Sequence, residues 1–324
     1  MHLLKKKPRA LLVLEDGSVF RGFAFAHAGQ SMGEVVFNTG MTGYQEILTD
    51  PSYKEQIVTM TYPLIGSTGV NPEDMESARI HLEGFIVKEY QPHPSNWRSR
   101  MTLKEFLEEH QTLGVEGIDT RALTRKIRLA GAMKGILSTE TDDTGLLLDR
   151  VRAYPGLVGR DLIPFVTCEK PYLWKNNGPR PIEQMERTKP RLRVVVIDCG
   201  VKYNILRNLE KRGCEVVVVP CRTTAPEIRA YEPDGVLLSN GRATRPPCPT
   251  SSTRCANCWA GRPSSASASG TRSSGRPSAE RQRSSSSATT ASTSRPRTSR
   301  ETGSRSAPRT TASRSCRKPS ATGS

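Results

Sequence analysis

The last quarter of this 324-residue chain lacks the residues that build a folded core. Residues 242–324 contain no Leu, Ile, Val, Met, Phe or Tyr, and Trp259 is their only large apolar side chain. Ordering a backbone costs roughly 1–2 kcal/mol per residue, and a segment without apolar side chains cannot offset that cost by burial. The 83 residues are rich in Arg, Ser, Thr and Pro. They are therefore predicted to form a disordered tail.

Excess positive charge is scarce outside that tail. Residues 242–324 hold 15 Arg and 1 Lys against 2 Glu, which is a net charge of +14 out of +16 for the whole chain. Residues 1–241 are therefore nearly neutral at +2, and their charge gives no indication of a nucleic-acid partner. The tail alone is expected to bind nucleic acid, non-specifically and in a salt-dependent way.

Long apolar runs and a disulfide framework are also missing. The apolar run at residues 10–14 ends at Glu15, and it is too short for a signal-peptide core or a membrane span. The eight cysteines show no framework spacing, and four of them lie in the tail. A reduced, cytoplasmic setting is expected.

Residues 1–150 show the patterns of a β-rich α/β domain. Asp16-Gly17 forms a predicted turn between two alternating apolar runs. The segments EVVFNTG and QIVTMTYPLIG predict further strands that end in Gly or Pro. Asp119 is a predicted N-cap for the second of three helices. Those helices are expected at residues 103–110, 120–130 and 146–153.

Residues 191–241 show a different pattern, after a predicted interdomain linker at residues 151–190 whose part from 168 onward is rich in Pro, Lys and Asn. Apolar strands without polar alternation, joined by helices, indicate parallel strands covered on both faces. The segment therefore predicts the opening of a truncated doubly wound sheet. The elements in order are a strand at 191–200, a helix at 203–212, a strand at 214–221, a helix at 225–231 and a strand at 235–240.

Two stretches resemble the small (glutaminase) subunit of carbamoyl-phosphate synthetase. They are GEVVFNTGMTGYQEILTDPSYKEQIVTMTYPLIGSTGVN at residues 33–71 and GVEGIDTRALTRKIRLAGAMKG at residues 114–135. A third stretch, VIDCGVKYNILRNLEKRGCEVVVVP followed by DGVLLSNG, resembles the start of that family's class I glutamine amidotransferase domain. The resemblance covers residues 10–241.

The resemblance implies a function. Family members hydrolyse glutamine to glutamate and ammonia for a large subunit, which makes carbamoyl phosphate for arginine and pyrimidine synthesis. The large subunit is the implied protein partner and would use the ATP and metal, so no cofactor is expected in this subunit.

Two glutamine-binding residues are implied as well. Ser52 matches the position where the N-terminal domain reaches over to hold glutamine, and Gly241 matches the first glycine of the family's SNGPGDP loop. A glycine-rich loop at the carboxyl end of a strand can present backbone N–H groups to an oxyanion. Without the resemblance, Ser52 would be interpreted as a turn residue after Pro51.

The chain departs from the family after Gly241. Arg242 replaces the expected proline, no cysteine-centred elbow follows, and His110 is the last histidine. A thiol nucleophile needs an adjacent base. We therefore assign no catalytic residue and predict that the chain as written is inactive. The alternative is a non-catalytic folded domain that docks on the large subunit and carries a disordered basic tail.

A one-base deletion accounts for this departure. If residues 241–245 are read one base back, with G or C at the free third positions, the codons give Pro-Gly-Asp-Pro. Residues 263–271, read one base back with mostly G or C at the free third positions, give AVFGICLGH, which matches the family's nucleophile elbow. The sequence therefore predicts a frameshift after Gly241.

The cysteines favour structural roles over metal or catalytic ones. Cys255 and Cys258 have C-x-x-C spacing, but no second pair and no nearby histidine accompany them. Cys199 ends a predicted strand with no base in view and is interpreted as a buried structural cysteine. No metal site is predicted.

Overall fold

The computed structural model describes residues 7–185 and 192–241. The predicted disordered tail at 242–324, including Cys255 and Cys258, lies outside the described residues. In the part that is described, no helix is both long and apolar enough to cross a membrane.

The N-terminal part contains a closed seven-stranded barrel. The barrel order is β1-β2-β8-β6-β4-β3-β9. The run β3-β4-β6-β8 is parallel, and the remaining pairs are antiparallel. The strands up to residue 150 are β1 Arg9–Leu14, β2 Val19–Ala24, β3 Gln30–Asn38, β4 Gln56–Met60, β5 Leu64–Ile65, β6 Gly84–Ile86, β7 Glu89–Tyr90, β8 Leu113–Glu116 and β9 Met133–Ser138, with β5 and β7 pairing outside the barrel.

Helices cover the barrel where its strands are apolar on the outer as well as the inner face. All five residues of β4 are buried. Leu123 and Ile127 of the third helix belong to the same apolar cluster as Leu12 and Ile57 of the strands. That helix begins at the predicted cap, since Asp119 accepts a hydrogen bond from the N–H of Ala122 at 2.9 Å. The four helices are α1 Tyr44–Thr49, α2 Leu103–Glu109, α3 Thr120–Ala130 and α4 Thr144–Ala153.

A second sheet has five strands in the order β11-β10-β13-β12-β14. β12 pairs in parallel with both β13 and β14, which confirms the predicted α/β class and doubly wound pattern. The remaining elements are α5 Ile163–Val166, β10 Tyr172–Lys175, β11 Gly178–Arg180, β12 Arg193–Asp198, α6 Tyr203–Lys211, β13 Glu215–Pro220, α7 Ala225–Ala230 and β14 Gly235–Leu238.

The linker interpretation of residues 151–190 needs correction. β10 pairs antiparallel with β13, with Leu173 opposite Val217, so this stretch contributes a hairpin to the second sheet. Its composition is misleading because β10 buries only Leu173 and Trp174. The asparagines form the hairpin turn, where Asn176 and Asn177 have φ values of 55° and 59°. Such positive φ values are what a two-residue hairpin loop requires.

Candidate functional site

Ser52 lies on a rigid turn at the end of α1. The single-turn 3₁₀ helix Pro51–Tyr53 follows directly, with proline at its first turn. The Asp50 side chain caps this turn by accepting a hydrogen bond from the N–H of Ser52 at 2.9 Å. Proline restricts φ and has no N–H left to satisfy at a helix start. The Ser52 hydroxyl is therefore presented from a fixed backbone.

Gly241 lies just beyond the carboxyl end of β14, in close contact with the end of β12. A Cβ atom at Gly241 would lie 2.6 Å from the carbonyl oxygen of Cys199 and 2.7 Å from its Cβ. Cys199 is only 4% exposed, so the backbone at 241 approaches a buried neighbour. Only glycine fits this contact without displacement. The burial also agrees with a structural role for Cys199.

These two strand ends form the switch point of the parallel sheet. The chain runs from β12 to β13 on one side and then to β14 on the other side of β12. In open α/β sheets, ligands bind in the crevice at the carboxyl ends of the strands where the order reverses. That rule places a crevice beside residues 198–200 and 239–241.

Backbone hydrogen bonds hold both walls of the crevice. The N–H of Cys199 donates to Ser239 Oγ at 2.9 Å. The Asp198 carboxylate accepts bonds from the N–H groups of Gly200 and Val201, both at 2.8 Å. Burial raises the pKa of Asp198, although these hydrogen bonds oppose the shift. The loop after β12 is therefore preorganised.

The barrel turn meets this crevice. Asn240 Nδ2 lies 3.4 Å from Ser52 Oγ, which is longer than the roughly 2.7–3.2 Å usual for N–H···O hydrogen bonds, so this is a weak contact. A Cβ atom on Gly200 would lie 3.3 Å from Pro51 Cβ, so the loops also touch there. Ser52 and Gly241, 189 positions apart in the chain, thus lie on adjoining segments. Sequence reasoning missed Asn240, although its place between Ser239 and Gly241 could have indicated it.

An ion pair reinforces the contact. Lys202 Nζ lies 2.5 Å from Asp50 Oδ2, and Asp50 is 5% exposed. The carboxylate that caps the Ser52 turn is therefore also bound by the loop that follows β12. A paired, hydrogen-bonded carboxylate is the form in which a buried charge is tolerated.

The arrangement gathers polar groups at the strand ends but lacks a nucleophile–base pair. The second sheet has no histidine, since all five histidines of the chain precede it. Among residues 7–185 and 192–241, no group of three or more His, Cys, Asp or Glu is placed to hold a metal ion. The crevice supplies a hydroxyl, a carboxamide and a close-packed glycine backbone.

Comparison with known proteins identifies the family. The family model "Carbamoyl-phosphate synthase small chain, CPSase domain" matches residues 12–137. The model "Glutamine amidotransferase class-I" matches residues 195–258. The second match continues past Gly241, the last residue that the structure describes. An aminopeptidase from Aneurinibacillus sp. strain AM-1 aligns with a TM-score of 0.23 and 9% identity, over 71% of this chain and 56% of that one, which carries no structural argument.

Curated relatives agree with the family models. A carbamoyl phosphate synthase small chain from Syntrophotalea carbinolica is 56% identical over 72% of this chain and 62% of its own. Those from Nitratidesulfovibrio vulgaris and Thermosynechococcus vestitus are 52% and 54% identical over 72% of this chain and 63% and 62% of theirs. This chain therefore spans less than two thirds of the length of these relatives. Within the residues matched, it belongs to the carbamoyl-phosphate synthase small chain family.

Proposed function

We propose that residues 7–185 and 192–241 form the glutamine-binding framework of a glutamine-dependent carbamoyl-phosphate synthase small chain, and that the chain as written does not hydrolyse glutamine. The observation that carries the proposal is the contact between Ser52 and Asn240 over the switch-point crevice. This contact supports the proposal because it brings the barrel residue Ser52 next to the loop that ends in Gly241.

The proposed chemistry divides between residues present and residues missing. The Ser52 hydroxyl would hold the substrate, and the backbone at Gly241 would contribute N–H groups to the oxyanion. Hydrolysis also needs a thiolate and a base to activate it. Neither the family's cysteine elbow nor a histidine follows Gly241. Binding without turnover is the expected result.

The wider assignment follows from the family. Ammonia from glutamine would pass to a large subunit, which would bring the ATP and metal and supply arginine and pyrimidine synthesis in the cytoplasm. The small chain itself would need no cofactor. A one-base deletion after Gly241 would explain why a chain with an intact barrel lacks the elbow.

A glutaminase assay on the chain as written tests the proposal. We expect glutamate release at the background rate. The matched control is the same gene with one base added at codons 241–242 and read on through the sequence downstream, which should be active. In that corrected protein, Ser52→Ala should raise KM more than it lowers kcat, because the hydroxyl holds substrate rather than reacting. Turnover by the chain as written that thiol alkylation abolishes would refute the inactivity.

A non-catalytic docking role is the second candidate, and the closed barrel favours it. The barrel strands leave no unpaired neighbour in the barrel order, so this part of the fold does not depend on the missing elbow. Co-purification with the large subunit tests this role. A stable complex of the inactive chain would support docking, and elution of the two chains as separate species would contradict it.

A further inference from the structure

Helix α6 begins without a cap from its own segment. Its N-cap residue, Lys202, makes no side-chain capping bond, and its first turn contains no acidic residue. The first four N–H groups of any α-helix lack partners within the helix. A helix that starts at the wall of a crevice therefore needs acceptors from elsewhere.

The barrel segment supplies those acceptors through Glu76. The N–H of Tyr203 donates to the Glu76 carbonyl oxygen at 2.9 Å, and the N–H of Asn204 donates to Glu76 Oε2 at 3.1 Å. One turn later, Arg207 Nη1 lies 3.6 Å from Glu76 Oε1, and Arg207 Nη2 donates to the Met75 carbonyl at 2.7 Å. Glu76 is 7% exposed, so this is a buried carboxylate with hydrogen bonds and a counter-charge.

The same residue is tied to the turn that carries Ser52. The N–H of Glu76 donates to Thr49 Oγ1 at 2.9 Å. Thr49 is the last residue of α1 and directly precedes Asp50, which caps the Ser52 turn. Glu76 thus binds the end of α1 through its N–H, and the start of α6 through both its carbonyl and its carboxylate.

The start of α6 in turn determines where the crevice wall lies. Residues 199–202 join β12 to α6, and within them Gly200 packs on Pro51 while Lys202 pairs with Asp50. If the helix start shifts, these contacts shift with it, and the distance between Ser52 and Asn240 changes.

We propose that Glu76 is a positioning residue for the switch-point crevice. Glu76 belongs to the barrel side and caps α6 across the contact between the two sheets. It therefore holds the carboxyl edge of the second sheet against the turn that carries Ser52. That the crevice takes glutamine rests on the proposed function, whereas the capping role does not.

Amide hydrogen exchange on the full chain tests this role in Glu76→Ala and Glu76→Gln. Loss of a helix cap typically costs about 0.5–2 kcal/mol, so exchange at residues 203–206 of Glu76→Ala should accelerate about tenfold. Residues 52–53 and 199–201 should accelerate too, while β4 and β6 keep their protection. Glu76→Gln should lie between wild type and alanine, because an amide oxygen still accepts the helix N–H bond.

Glu73→Ala is the matched control, since Glu73 is an exposed carboxylate three residues away and lies 3.9 Å from Arg98. Its exchange should equal that of wild type. Unchanged exchange at 203–206 in Glu76→Ala would overturn the proposal. An equal loss of protection in β4 and β6, in both Glu76 variants, would overturn it as well, because Glu76 would then support the fold as a whole.

Repeating the exchange with saturating glutamine separates the two claims. Glutamine should protect residues 199–201 of wild type, and this protection should be weaker in Glu76→Ala. If wild type gains no protection while the alanine variant still accelerates at 203–206, the positioning role stands and the glutamine assignment fails.

Discussion

The barrel and the second sheet solve the problem of strand edges differently. In the barrel every strand pairs on both sides, whereas β11 and β14 are edge strands of the second sheet as far as the described residues go. All five residues of β4 are buried, but the four residues of β14 are only half-buried. The barrel is therefore stabilised by its own closure, and the second sheet has edges that other groups must cover.

The second sheet takes part of its support from the barrel. Glu76 caps α6, Asp50 binds Lys202, and Arg79 Nη2 donates to the carbonyl of Phe165 at 2.9 Å. Each of these contacts joins a barrel-side residue to the segment that leads to the crevice or to α5. Under the proposed function, a residue that holds glutamine would therefore lie on the barrel side and not on the second sheet.

The largest effect is expected from removing core volume in the barrel. Phe85 of β6 is fully buried, and Phe85→Ala should lower the free energy of unfolding by about 3–5 kcal/mol. Leu237→Ala in half-buried β14 should cost only about 1–2 kcal/mol, because less apolar surface is lost. Urea unfolding followed by circular dichroism measures both. Equal losses of unfolding free energy would mean that β14 is as well covered as the barrel strands. The difference in burial between the two sheets would then not determine their stability.

The sequence predicts local elements well and long-range pairing poorly. The cap at Asp119 and the parallel strands of the second sheet follow from residue type and apolar runs, and both are confirmed. Closure of the barrel depends on pairing between β1 and β9, more than 120 residues apart, which no local pattern encodes. The β10–β11 hairpin was missed because two buried residues produce too short an apolar run.

The site shows the same limit. Ser52 is a turn residue by local pattern, and only the family resemblance drew attention to it. Its contact with Asn240 joins residues 188 positions apart. Glu76 had no signal at all in the sequence, because a cap supplied across a tertiary contact lies nowhere near the helix that it caps.

The second prediction concerns the pH dependence of stability, which has opposite signs for one buried group on the barrel side and one in the second sheet. His81 is 6% exposed, and burial, together with the nearby positive charges of Arg79 and Lys54, lowers its pKa from 6.5 to about 4. The unfolded chain binds this proton near pH 6.5 and the folded chain does not, so stability falls as pH drops from 6.5 towards about 4. The loss should be on the order of 3 kcal/mol.

His81→Gln should flatten this part of the pH profile, and His93→Gln, an exposed control, should leave it unchanged. In the second sheet, burial raises the pKa of Asp198, so its contribution is lost as pH rises through the folded value rather than as pH falls. Unfolding free energies measured from pH 7 down to pH 4 test the pair. A His81→Gln profile as steep as that of wild type would contradict the assignment.

The smallest effect is expected at the crevice itself. In Gly241→Ala, the new Cβ would meet the Cys199 carbonyl oxygen at 2.6 Å, and a backbone atom cannot move away cheaply. Relieving the overlap should cost about 1–2 kcal/mol and push the end of β14 away from β12. Gly235→Ala is the matched control at the start of the same strand, because its nearest neighbour is Val194 Cγ2 at 3.9 Å, an ordinary contact.

Hydrogen exchange at the N–H of Cys199 measures the displacement of β14 from β12 most directly, because that N–H donates to Ser239 Oγ across the two strand ends. The Cys199 N–H should exchange faster in Gly241→Ala than in wild type. In Gly235→Ala it should exchange at the wild-type rate. Barrel amides should be unaffected by either change, because the displaced segment follows the last described strand and the barrel closes without it. If both alanines behave alike, the close approach at Gly241 is not what holds the crevice together, and the requirement for glycine there has another cause.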